Sequence, residues 1–282
     1  MKVISEPRKL NRIIKEYSCG KKIIGLVPTM GALHPGHLSL INRAKKENDI
    51  IVASIFVNPM QFSPKEDLKK YPRPLKKDLS LLRQCGVDFV FLPSDKTMYS
   101  PNFSSFIEVG GLSDKLCGIY RPGHFKGVAT VVAKLLNIVR PDNLYIGQKD
   151  AQQAVIIKRL VDDLNFNVKV KIMPTVREKD GLALSSRNIY LNNRQREQAP
   201  VLYKALSLAG ALIKNGQRDA LRVISRMKEL INKKAQAKID YISIVDLENL
   251  ENIKKINGPC LIALAVKIGK VRLIDNLIIK GI

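Results

Sequence analysis

A chain of 282 residues exceeds a typical domain of about 100 to 200 residues, so two domains and a sizeable core are expected, without disulfide or metal staples. The balance of 48 Lys plus Arg against 25 Asp plus Glu leaves +23, a field that concentrates nucleotides and organic acids; the lysines are dispersed in pairs such as Lys21-Lys22 and Lys76-Lys77 and Trp is absent, which argues against a dedicated nucleic-acid surface. Four scattered cysteines, Cys19, Cys85, Cys117 and Cys260, lack C-x-x-C spacing and point to reduced thiols in the cytoplasm; with no apolar run of about 18 residues, neither secretion nor a membrane span is expected.

Apolar runs at 23–27, 50–57, 87–92, 106–109, 143–146 and 168–173 read as strands. Helical spacing appears at Leu38, Leu40, Ile41 and Ala44, and again through 75–85, 127–139 and 149–165, with Pro141 ending one helix before the fifth run. This alternation predicts an α/β fold on a parallel sheet. Beyond 173 the pattern changes: Pro174, Asp180-Gly181 and Ser185-Ser186 mark a loop, followed by long polar helices over 193–215 and 219–234. Strand-like runs at 241–245, 261–268 and 271–277 follow, the last two joined by Gly269-Lys270 as in a hairpin, which predicts a smaller α+β second domain.

Pro28-Thr29-Met30-Gly31-Ala32-Leu33-His34-Pro35-Gly36-His37 sets two of the three histidines between the first strong strand and its helix. At the carboxyl end of a parallel strand, a helix N-terminus offers unpaired N–H groups and partial positive charge, so an anion is the expected ligand. Each imidazole can donate to a phosphate oxygen. The residues alone leave open a structural histidine pair or half of a metal site. Gly147-Gln148-Lys149-Asp150 repeats the strand-to-helix arrangement, with Lys149 a point charge for phosphate and Gln153 one turn on; a capped helix start with a solvated lysine is the alternative. Leu184-Ser185-Ser186-Arg187 combines hydroxyls with a guanidinium fork, a phosphate clamp in outline or a capped turn with a surface arginine. Gln61, after the second strong strand, suits a neutral polar ligand or bonds to backbone, and His124 either lines a pocket or fixes its loop.

Residues 28–37, 56–62 with Tyr71-Pro72-Arg73, 121–127, 147–153, 180–191 and Arg272-Leu273-Ile274-Asp275-Asn276 together resemble, nearly end to end, the pantothenate synthetases. These pantoate–β-alanine ligases belong to the His-x-Gly-His-type nucleotidylyltransferase superfamily. The resemblance implies a Rossmann-like ATP- and pantoate-binding domain over 1–176, a smaller lid over 177–282, and a cytoplasmic homodimer. It implies ATP-dependent condensation of (R)-pantoate with β-alanine through pantoyl adenylate, releasing AMP and pyrophosphate. His34 and His37 would donate to the phosphates, with His37 the proton donor, and Lys149 would neutralise the leaving pyrophosphate. Met30, Gly31, Ala32, Leu33, His34, Pro35, Gly36, His37, Gly147, Gln148, Lys149, Asp150, the Val176 backbone, Leu184, Ser185, Ser186 and Arg187 would hold ATP with Mg2+.

By the same resemblance, Gln61 and Gln153 orient pantoate, with Gln61 also a candidate for β-alanine. No residue is assigned as a metal ligand and no tightly bound organic cofactor is implied. Two positions depart from the family's habit: Gln148 stands where Glu is common, and Ala151 where an aromatic is common. Asp78 falls where the family places an acidic group near the metal, but Lys76 and Lys77 beside it argue against a ligand role. A competing reading is adenylyl transfer to a phosphate ester, against which the neutral Gln61 and Gln153 speak. A second is an RNA-binding adenylating protein, against which the lack of an anticodon-type module speaks.

Overall fold

The computed structural model describes residues 1–64 and 66–281. The chain divides into two compact units: Met1–Ser113, Arg121–Gly147 and Ile156–Pro174 form the first, and Asp114–Tyr120, Gln148–Val155 and Thr175–Ile282 the second. Where the resemblance implied one cut at 176/177, these units are discontinuous in sequence. The excursion at 114–120 belongs with the later strands because Tyr120 donates its hydroxyl hydrogen to the Asp240 carbonyl and Lys115 pairs with Glu251.

The first unit is built on a parallel sheet of β1 (Lys2–Ile4), β2 (Ile24–Thr29), β3 (Ile50–Ile55), β4 (Phe89–Phe91), β5 (Asn143–Gly147) and β6 (Lys169–Met173), in the spatial order β1-β4-β3-β2-β5-β6. The central strands are continuous apolar runs because both faces are covered. On one face, α2 (Pro35–Glu47) and α3 (Leu75–Gln84) supply Leu40, Ile41, Ala44 and Leu82, which pack with Val27, Ile51, Ala53, Val90 and Tyr145. Elsewhere in the unit α1 (Pro7–Cys19) buries Leu10 and Ile14 and meets α6 (His124–Val139), which is apolar nearly all round and correspondingly buried. The short helices α4 (Asp95–Met98) and, in the second unit, α5 (Cys117–Tyr120) lie on the route to α6, and α7 (Ala151–Asp163) connects β5 to β6. Strand order reverses between β2 and β5, the switch point outside whose carboxyl ends open α/β sheets bind ligands.

Two expectations are corrected in this unit. The run at 106–109 is not a strand: the Ile107 N–H donates to Thr130 Oγ1 at 3.0 Å instead of joining a ladder, and Phe106 stays exposed with Lys126 Nζ 5.0 Å from its ring centroid. The sixth strand is instead β1, three residues long and too short to show a period, which pairs parallel with β4.

In the second unit, β7 (Ala237–Val245), β8 (Cys260–Ile268) and β9 (Val271–Ile279) form an antiparallel sheet, with Gly269 at φ +59° in the β8–β9 turn. The expected helix over 193–215 is two helices, α8 (Asn193–Gln198) and α9 (Val201–Lys214). Pro200 lacks an N–H to continue the first and sits just before the second. Asp219 caps α10 (Ala220–Asn232) by accepting from the N–H groups of Leu221 and Arg222. Leu202, Leu206, Val223, Met227 and Ile231 of these helices pack on Ile262, Leu264, Val266 and Leu273 of the sheet. The opposite side of β9 carries Arg272 and Asn276, bonded to Cys117 and to Gln148.

Candidate active site

The backbone N–H groups of Gly31, Ala32 and Leu33, at the start of the histidine loop, are all engaged by side chains of the protein itself. Gly31 has φ +79° and Ala32 φ +50°, and this turn aims the N–H groups of Ala32 and Leu33 at the Asp78 carboxylate, 2.8 Å from one oxygen each. Asp78 is 1% exposed, the internal anion of a small backbone nest. A Cβ on residue 31 would lie 3.0 Å from Asp78 Oδ2 in a backbone conformation side chains disfavour, which is why glycine stands there. The Gly31 N–H bonds Thr29 Oγ1, which itself donates to the Ser54 carbonyl across β2 and β3.

His34 caps α2: its Nδ1 accepts from the Gly36 N–H at 3.1 Å, while the N–H groups of His37 and Leu38 return to the His34 carbonyl. A ring nitrogen that accepts carries no proton, so the donor edge of a neutral His34 is Nε2. The rings of His34 and His37 stack with centroids 4.0 Å apart and a 39° tilt. The expectation of open N–H groups at this helix start is therefore corrected, because Pro35 has none and the next three are bonded internally. What the loop holds at the switch point is a pair of imidazoles on a rigid frame.

After β3, the turn Pro59–Gln61 brings Gln61 against that frame, with its amide nitrogen 2.9 Å from Met30 Sδ. Asn58, 1% exposed, is the hub of the turn. Its Nδ2 donates to Gln61 Oε1 and to the Gly127 carbonyl, and its Oδ1 accepts from the Tyr99 hydroxyl and the Met60 N–H. His124 fixes this turn. Arg121 can only donate, so its Nη1, 2.9 Å from His124 Nε2, makes that nitrogen the acceptor, and Nδ1–H then donates to the Gln61 carbonyl at 2.8 Å. Arg121 also pairs with Glu66; burial raises that carboxyl, but the Arg121 and Ser63 donors outweigh it and the net shift is downward.

Gly127 lets α6 touch this turn, since a Cβ there would come within 2.3 Å of the Met60 carbonyl oxygen. Gly127→Ala is expected to push the turn off the helix at a cost of about 1–3 kcal/mol. Under the activity that the resemblance implies, the KM for the acceptor should rise several-fold while that for ATP holds. Steady-state kinetics with each substrate varied checks this, and equal changes in both constants would contradict the assignment of Gln61.

In the second unit, the turn Gln148–Asp150 is tied to β9. Asn276 Nδ2 donates to the carbonyls of Gln148 and Lys149, and Gln148 Nε2 donates back to Asn276 Oδ1, a bond that a glutamate could not donate. Lys149 Nζ lies 3.9 Å from the exposed Asp150, a loose pair that leaves the ammonium able to accept another anion. Gln152 spans to 115–117 through Cys117 N–H and the Lys115 carbonyl, while Gln153, next to it, is partly exposed.

The segment 175–187 folds back on itself. Arg177 bridges to Ala183, and the Leu184 N–H donates to the Val176 carbonyl. Ser185 Oγ accepts from the Arg187 N–H and caps the turn Ser186–Tyr190, so the capping alternative for Ser185 is realised there. Among the described residues no group of three or more His, Cys, Asp or Glu is arranged to hold a metal, and no helix is long and apolar enough to cross a membrane.

The first unit thus joins His34, His37, Met30 and Gln61 in one neighbourhood, and the second holds 148–150 and 176–187 on β9. Sequence reasoning weighed Asp78 only as a metal ligand and set it aside for its flanking lysines, and it gave no role to Asn58, Asp275 or Asn276, which make bonds to residues far away in the chain. The only local signal was their place inside or beside the quoted motifs.

Comparisons with known proteins agree with this geometry. The profile of the family described as pantoate-beta-alanine ligase matches residues 2–278. A pantothenate synthetase from Thermosipho africanus is 53% identical over 279 residues, spanning 99% of this chain and 100% of its own length. One from Thermodesulfovibrio yellowstonii is 51% identical over 281 residues, spanning 99% and 100%. The crystal structure of pantothenate synthetase from Thermus thermophilus superposes with a TM-score of 0.93 at 42% identity, covering 98% of this chain and 99% of that one. That of the Francisella tularensis pantoate-beta-alanine ligase, complexed with beta-gamma ATP and beta-alanine, gives 0.83 at 40%, covering 98% and 97%. With the profile and the relatives spanning essentially the whole chain, and the histidine pair standing at the sheet's switch point, the chain belongs to the pantoate–β-alanine ligase family.

Proposed function

We propose that this protein condenses (R)-pantoate with β-alanine at the expense of ATP. In the first step a pantoate carboxylate oxygen attacks the α-phosphorus, the bond from that phosphorus to the β-bridging oxygen breaks, and pyrophosphate leaves. In the second, the β-alanine amine attacks the acyl carbon of pantoyl adenylate, loses a proton, and AMP departs with the acyl–oxygen electron pair. The observation that carries this reading is the contact of Gln61 with Met30, which sets a neutral amide against the residue that opens the histidine loop. A phosphate ester would call for cations there, whereas a hydroxy acid needs one group able both to donate and to accept.

In this reading His34 and His37 donate to the phosphates as charge moves onto pyrophosphate, with His37 the proton donor, and Lys149 neutralises the same leaving group. Met30 to His37, Gly147 to Asp150, the Val176 backbone and Leu184 to Arg187 hold ATP. Gln148 contributes through its backbone, its side chain being committed to Asn276. Gln61 and Gln153 orient pantoate. Mg2+ arrives with the triphosphate as part of the substrate: Asp78 is already engaged by two N–H groups of the loop, and the described residues offer no resident metal cluster. We further assign the protein to the cytoplasm, which its free cysteines suit, and to a homodimer, which rests on the resemblance alone.

The test is isotope exchange between pyrophosphate and ATP together with AMP release. Exchange is expected to require pantoate, and net AMP release to require β-alanine as well. Exchange supported only by a phosphate ester would overturn the assignment in favour of simple nucleotidylyl transfer.

A further inference from the structure

We propose that Asp275 and Asn276, neighbours on β9, are positioning residues that hold the two segments of the second unit assigned to ATP, 148–150 and 176–187, from opposite faces of one sheet. The inference rests on that assignment and adds what keeps the segments in place.

Successive side chains of a strand point to opposite faces. Val271 and Leu273 face the helices α9 and α10, so Asp275 shares their side and Asn276 the other. Both are 3% exposed. Asn276 uses its whole amide on the turn before α7: Nδ2 lies 2.9 Å from each of the carbonyls of Gln148 and Lys149, and Oδ1 accepts from Gln148 Nε2 at 3.2 Å. Only one orientation of the amide satisfies all three bonds, so the backbone under Lys149 is fixed in direction as well as distance.

Asp275 receives both arms of the Arg177 guanidinium, at 2.6 and 2.9 Å, and the Asn276 N–H at 2.8 Å. This is the bidentate geometry in which arginine is least replaceable. Arg177 passes the constraint on. Its Nη1 donates to the Gly181 carbonyl at 3.0 Å, and its guanidinium carbon sits 4.6 Å from the ring centroid of Tyr203 on α9. Gly181, at φ +92°, seats the turn on the same ring, where a Cβ would come within 1.9 Å of a Tyr203 carbon. The segment leading into Leu184 to Arg187 is thereby fastened to α9 and β9 together.

A pin of this kind, when removed, loosens its own segment and leaves the other in place, which general destabilisation does not do. Full-length Asn276→Ala and Asp275→Asn are therefore compared with the parent by backbone hydrogen exchange and by pantoate-dependent pyrophosphate exchange. Asn276→Ala is expected to speed amide exchange at 148–153 alone and to lower kcat by about 10²-fold, the scale of a 1 Å misplacement, with ATP KM within about threefold. Asp275→Asn is expected to speed exchange at 177–187 alone and to raise ATP KM by about tenfold with a smaller change in kcat.

Exchange that rises uniformly or not at all, or local loosening with unchanged kinetics, would overturn the proposal. If Asn276→Ala does not accumulate as folded protein, Asn276→Ser, which keeps a shorter donor, decides by the same two measurements. Lys149→Ala separates the two layers of argument. An inactive Lys149→Ala beside an unperturbed Asn276→Ala defeats the positioning role alone, whereas a fully active Lys149→Ala defeats the ATP assignment itself.

Discussion

Replacing His37 with Ala is expected to slow pantoyl adenylate formation by about 10³-fold while ATP affinity changes by no more than about threefold. The difference arises because the donor contact strengthens as charge moves onto the departing pyrophosphate, so it favours the transition state more than the ground state. The frame suits the proposed role. His34 turns Nδ1 inward to the Gly36 N–H, and its ring stacks on His37 at 4.0 Å, so both imidazoles are held in place before substrate arrives. Single-turnover adenylate formation, read beside equilibrium binding of a non-hydrolysable ATP analogue, checks the split. Parallel losses in rate and affinity would reassign His37 to simple binding.

Asp78→Ala is expected to be nearly as damaging by a different route. It leaves the part-buried N–H of Ala32 and the buried N–H of Leu33 with no acceptor within the protein, each costing up to about 1–3 kcal/mol, and removes the carboxylate that holds two successive positive-φ residues. A combined loss of about 4 kcal/mol corresponds to a melting temperature lower by roughly 10 °C, at about 2–4 °C per kcal/mol for domains of this size. The imidazoles would lose their register with it, and kcat should fall by about 10²-fold. Asp78→Asn, which keeps one acceptor, should fall between the parent and the alanine variant in both measures. Calorimetry and turnover on the two variants check this, and an Asp78→Ala protein with parental melting and rate would show that the loop stands without its clamp.

The parallel sheet and its switch point were legible because β2, β3 and β5 are largely apolar runs with glycine or proline at or just after their carboxyl ends, and helical periods alternate with them along the chain. The histidine loop, Gln61 and Lys149 could be singled out because they sit where such strands end. Contacts made at long sequence separation were not legible. Asp78 clamps a loop 45 residues upstream, and Asn276 holds a turn 128 residues upstream, and no local period encodes either. The misread run at 106–109 has the same origin: its apolar pattern suits a strand, but the Thr130 hydroxyl competes for its N–H. The helix over 193–215 was overdrawn for a local reason instead, an interior proline weighed too lightly against periodicity.

The seam between β2 and β5 pairs only Gly25 with Asn143 and Leu26 with Leu144, at the amino ends of the two strands, although β2 continues to Thr29 and β5 to Gly147. That closed end is fastened from several directions. Asp142 accepts from the Ile24 N–H, Asn143 donates to Asn48, and Asn48 in turn donates to the Tyr145 hydroxyl, whose pKa is pushed up to about 12 by burial and by the Glu47 carboxylate it bonds. Gly25 makes room for Asn48, whose side chain would lie 2.8 Å from a Cβ at that position. The strands behave as a two-pronged fork gripped at its handle. The histidine loop begins at the opposite, unpaired end of this seam, so the side chains that fasten the two strands stand apart from every group assigned to meet substrate.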